Sequence, residues 1–124
     1  MVEQDLIDRF KNVLAALEEK RGKVSIFALF KMDDVTDKWT VILSAPWVND
    51  NDRSEIFFEL RTLMLENIEQ SALPLIARFG IFESKEHLIE LLLENFKAGD
   101  YIPQDRQING NIIHEGYILG LNKD

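Results

Sequence analysis

Between Lys38 and Ser71 the apolar residues change period, and that change limits the folds open to the chain. Trp39, Val41 and Leu43 alternate with Thr40, Ile42 and Ser44, the two-residue period of a strand. A polar turn follows, Pro46-Trp47-Val48-Asn49-Asp50-Asn51-Asp52. Beyond it Ile56, Leu60, Leu63, Met64 and Ile68 recur at helical spacing, to about Gln70. Asp52-Arg53-Ser54-Glu55 has the form of a capping box with Asp in the capping place, which fixes where the helix starts. Phe57, Phe58 and Leu65 widen its apolar arc beyond what one sheet contact needs. Leu73 to Phe82 is a short, nearly continuous apolar run with Pro74 at its start, where a missing N–H is tolerable. It reads as a buried strand, parallel to the Trp39 strand and reached by a right-handed crossover.

The flanking segments build on this unit. Leu6, Phe10, Val13, Leu14 and Leu17 form one stripe of a helix from about Glu3 to Arg21, closed by Gly22. Lys23 to Met32 is a strand with large apolar residues on both faces, so it must be covered on both. The short polar turn Asp33 to Asp37 returns it to the Trp39 strand as an antiparallel hairpin. A third helix is expected from Ser84 to about Lys97. Its Leu88, Ile89, Leu91, Leu92, Leu93 and Phe96 cover more than half the circumference, which requires burial on two sides. Asn109-Gly110 is the signature of a type I′ hairpin turn. In the strand after it, from Ile112 to about Leu121, Ile113, Glu115, Tyr117 and Leu119 fall on one side. His114, Gly116, Ile118 and Gly120 fall on the other, where the glycines admit a close neighbour. The order α-β-β-α-β-α-β-β predicts a single α+β domain over residues 1–124, with a mixed sheet of four or five strands and three helices.

Composition narrows the function classes. A net charge of -8 disfavours attraction to nucleic acid or an anionic membrane. The chain has no cysteine, which removes disulfides, thiolate metal sites and cysteine nucleophiles. The acidic residues Glu3, Asp5 and Asp8 do not suit an export signal, and no apolar run approaches the ~20 residues of a membrane helix. A cytoplasmic location is expected. Phosphate loops, nucleophile elbows, zinc-protease and dinucleotide motifs are missing, and no cofactor or metal is expected.

Five residues are candidates for ligand contact: Trp47, Asp50, Asp52, Arg78 and His114. Asp50 and Asp52 sit in an oxygen-rich turn at the carboxyl end of a strand, where open sheets place ligands. The turn lacks the glycine and spacing of an EF-hand loop, so the plainer reading is a solvated helix start. Trp47 beside it is either a stacking surface or a ring folded over the core edge. Arg78, the polar residue of the most apolar strand, calls for a carboxylate such as Glu115 or for an anionic ligand. His114 and His87 are the two groups suited to proton transfer near neutral pH; His87 lies on a solvated acidic helix face. For these residues to act as one site, they must meet in one pocket.

The surplus apolar surface of the second and third helices points elsewhere, to a non-enzymatic interaction or regulatory protein that self-associates, most simply as a homodimer. Two alternatives stand beside it: a small ligand-binding domain or enzyme with its site at the strand-to-helix turn 46–53, and an acidic inhibitor or immunity-type protein directed at a basic protein partner.

Overall fold

The strand Ile26–Met32 (β1) lies at the middle of the sheet because both its faces are apolar and both are covered. Phe27 and Leu29 enter one core layer, and Ile26, Ala28, Phe30 and Met32 enter the other. The computed structural model describes residues 3–35, 37–48 and 52–123. Around β1 stand the strands Trp39–Ser44 (β2), Ile76–Phe82 (β3), Tyr101–Ile102 (β4), Arg106–Ile108 (β5) and Asn111–Leu121 (β6). The helices are Glu3–Arg21 (α1), Arg53–Asn67 (α2) and His87–Asn95 (α3). This is the expected α+β arrangement, one mixed sheet with three helices, with the short β4 added. The strand order is β3-β2-β1-β6-β4, and β5 pairs with β6.

β1 and β2 form the antiparallel hairpin, from Ile26 opposite Ser44 to Lys31 opposite Trp39. β3 returns parallel to β2 after α2, with Thr40 opposite Arg78 and Ser44 opposite Phe82. Asp52 caps α2 as its side chain predicts: its Oδ1 accepts from the Ser54 N–H at 2.8 Å. The β5–β6 turn has Asn109 and Gly110 both at positive φ, 50° and 79°, as a type I′ turn requires.

α1 and α2 share one face of the sheet, and α3 covers the other. Leu14 of α1 lies against Gly120 of β6, the Phe10 ring is 6.4 Å from that of Phe27, and the Phe57 ring of α2 is 5.3 Å from that of Phe79. α1 therefore lies over β6 and β1, and α2 over β2 and β3. On the far face Leu88, Ile89, Leu92 and Phe96 are buried, with Leu91 and Leu93 half-buried against them.

Four local expectations are corrected. α2 ends at Asn67, and a 3-10 turn, Gln70–Leu75, takes up Pro74 before β3 begins. α3 starts at His87, not Ser84: the Glu86 carboxylate accepts from the Glu83 N–H at 2.6 Å, holding a separate turn before the helix. β3 is not a buried strand; it is the sheet edge, and its residues are half-buried or exposed. β6 does not keep strict alternation. Register shifts against β1 near Glu115 and near Gly120 place Ile113 on the same face as Ile118, and turn Gly120 toward α1.

The room left by Gly116 is filled by the Phe30 ring, 2.7 Å from where a Cβ would stand. Phe30 is fully buried and has little freedom to withdraw. Gly116→Ala is expected to lower stability by about 1–3 kcal/mol through overpacking, and Asp52→Ala by about 1 kcal/mol through the lost cap. Urea unfolding midpoints check both; unchanged midpoints contradict this packing.

Candidate functional site

The predicted ligand contacts separate to the two ends of the sheet. At one end, where β2 leads into α2, Trp47 is half-buried and its Nε1–H donates to the Gly22 carbonyl at 3.2 Å. The Arg21 guanidinium lies 5.6 Å from the centre of the Trp47 ring and binds both Glu59 oxygens at 3.0 Å through its Nε. Trp47 thus folds back and ties the α1–β1 corner to α2. Asp52 beside it is engaged as the helix cap, and Asp50 lies outside the described residues.

At the other end stand Arg78 and His114, on either side of the turn that leaves β1. Arg78 is opposite Thr40 at the start of β2, and its Nε–H donates to the Thr40 Oγ1 at 3.1 Å. Its two terminal nitrogens each donate to an oxygen of Asp34 at 2.8 Å. The carboxylate partner is therefore Asp34 and not Glu115, which bonds to Lys31 and Tyr101 instead. The Arg78 guanidinium holds the Asp34 carboxyl below the usual carboxylate range.

His114 projects from β6 between two carboxylates, with its Nδ1 at 2.6 Å from Asp105 and its Nε2 at 3.1 Å from Asp33. Both ring nitrogens donate when the ring is protonated, so these bonds, Asp105 first and Asp33 second, raise its proton affinity above the ordinary histidine value. With both nitrogens occupied, the ring has no free position from which to take a proton from a substrate. The neighbouring residues Asp33 and Asp34 thus hold β6 and β3 respectively to the β1–β2 turn. Sequence reasoning missed them, since a polar turn carries no sign of which strands it will meet.

A cleft of about 390 Å³ opens next to Arg78, between the sheet and the first turn of α3, lined by Met32, Thr40, Ile42, Phe82 and His87. Arg78 faces it with its fork already filled by Asp34, and neither Trp47 nor Asp52 reaches it. The four described candidates do not form one site. Among the described residues no group of three or more His, Asp or Glu side chains is placed to hold a metal ion.

The larger feature is apolar. Along the outer flank of α2, Phe57, Phe58 and Leu65 are 39%, 62% and 51% exposed. They continue into half-buried Leu73, Ile76, Phe79 and Ile81 beside and along β3. A groove of about 540 Å³ runs between this helix flank and the strand, with Arg61 as the polar side chain on the helix. Phe57 stands edge-on to both Phe58 and Phe79, with ring centres 6.1 and 5.3 Å away, so the three rings form one surface. These are the residues whose apolar arc exceeds one sheet contact in the sequence. Comparison with protein-family models, curated proteins and solved structures finds no match.

The pH dependence of the His114 clamp has a definite sign. Its folded value lies above the unfolded one, so the stability it contributes is complete below about pH 6.5 and is lost as pH rises through the folded value. In an NMR titration the midpoint of the His114 Cε1 proton is expected above the ordinary histidine value, and Asp105→Asn is expected to lower it. A His114 midpoint that ignores this substitution contradicts the clamp.

Proposed function

We propose that this protein is a non-enzymatic interaction protein that self-associates, with the outer flank of α2 and the edge strand β3 as its contact surface. The supporting observation is the continuity of apolar side chains from exposed Phe58, Leu65 and Phe57 to half-buried Phe79. Aromatic side chains carry roughly 150–250 Å² each, and a leucine lies near the lower end of that range. The exposed parts of Phe57, Phe58 and Leu65 alone then amount to roughly 300 Å², within the range of the largest apolar patch on a typical monomer, which is often functional.

Only α2 supplies this support. The surplus of α3 is taken up largely by its own sheet, and the two-sided apolar character of β1 is satisfied by α1, α2 and α3. The acidic charge of -8 agrees with a role that avoids nucleic acid, and a cytoplasmic setting suits a chain without cysteine. No helix among the described residues is long and apolar enough to cross a membrane.

Sedimentation velocity at micromolar concentration is expected to give a dimer. The double substitution Phe58→Glu with Leu65→Glu, both at exposed positions, is expected to shift the population to monomer while leaving the circular dichroism spectrum unchanged. A monomer for the unsubstituted chain across the concentration range overturns the proposal.

A further inference from the structure

We propose that β3 pairs antiparallel with β3 of a second copy, so that two sheets run on as one and the two α2 helices pack side by side over the seam. This rests on the self-association reading above and specifies its geometry.

The two edges of the sheet differ. At one edge the outer side of β6 is met by two short strands, β4 with two residues and β5 with three. Short, broken edges of that kind resist further pairing. β3 at the other edge is seven residues long, IARFGIF, and among the described residues no strand pairs its outer side. It carries no Lys and no Pro, the residues that usually protect an edge. Its one charged side chain, Arg78, is drawn back over the sheet by Thr40 and Asp34 and does not guard the edge.

The layering of helix on sheet selects the occupant. Strands lie ~4.8 Å apart and packed helices about 8–10 Å apart, so one helix spans two strands. α1 over β6 and β1, and α2 over β2 and β3, follow this rule and end at the edge itself. A twofold axis normal to the sheet beside β3 keeps both α2 helices on one face. It places the second α2 one helix spacing from the first, where Phe58 and Leu65 now meet water.

A second copy therefore supplies a free strand edge and an apolar helix flank together, at matching depth. An isolated extended peptide would satisfy the backbone of β3 but leave Phe58 and Leu65 exposed. The three α2 side chains supply roughly 300 Å² of the ~800 Å² per partner of a stable interface, and the half-buried β3 residues and the strand backbone add to it.

The test is an isotope-filtered NOE experiment on a mixed sample, half uniformly labelled and half unlabelled, at a concentration where sedimentation gives a dimer. Cross-copy contacts between backbone protons of residues 76–82, together with side-chain contacts between the two α2 helices, are the expected result. A dimer whose cross-copy contacts involve no β3 backbone proton overturns this geometry and leaves the association reading standing. A chain that stays monomeric at the NMR concentration overturns both.

Discussion

The requirement that β1 be covered on both faces governs the rest of the structure. Phe27 and Leu29 face one way, Ile26, Ala28 and Phe30 the other, and none of the five is exposed. Leaving either set in water would forfeit several side chains' worth of burial, each about 1.5–3 kcal/mol. The chain therefore divides its three helices between two faces, and β1 needs neighbours on both edges, which β2 and β6 supply. With α3 committed to one face, α1 and α2 are left to cover four strands on the other. They suffice for those four, and at the last of them α2 leaves Phe58 and Leu65 exposed.

That arrangement accounts for both kinds of surface on the molecule. The β1–β2 turn is held by charge: Asp34 binds Arg78 on β3, and Asp33 with Asp105 encloses His114 on β6. All of these groups are largely exposed, so their effect is to fix where the ends of strands lie more than to stabilise the whole. The α2–β3 flank is apolar instead. The Phe57 ring stands edge-on to those of Phe58 and Phe79, and among the described residues β3 pairs on one side only.

Much of this was legible in the residues, for identifiable reasons. Local chemistry set α1, the Asp52 cap and the Asn109-Gly110 turn, since each depends on a few consecutive residues. The parallel β2–β3 pair followed from the strand-helix-strand order. The features that were not legible depend on partners far along the chain. Arg78 met Asp34 in place of Glu115 because β3 lies next to β2 and not beside β6. The face reversals at Ile113 and Gly120 arise from bulges set by pairing with β1. The apolar run from Leu73 to Phe82 resembled a buried strand because Ile76, Phe79 and Ile81 pack against the α1–α2 core as an interior strand's side chains do, while its place at the sheet edge is set by pairing. Trp47 and His114 were attractive as chemistry, yet each is engaged in holding a corner of the fold.

The account turns on whether the α2–β3 flank closes against another molecule of the same chain. Hydrogen–deuterium exchange followed by mass spectrometry at two protein concentrations tests this most directly. Exchange in peptides covering residues 57–65 and 76–82 is predicted to slow as concentration rises, while peptides covering 101–108 exchange at a constant rate. Equal exchange in all three regions at both concentrations would contradict it.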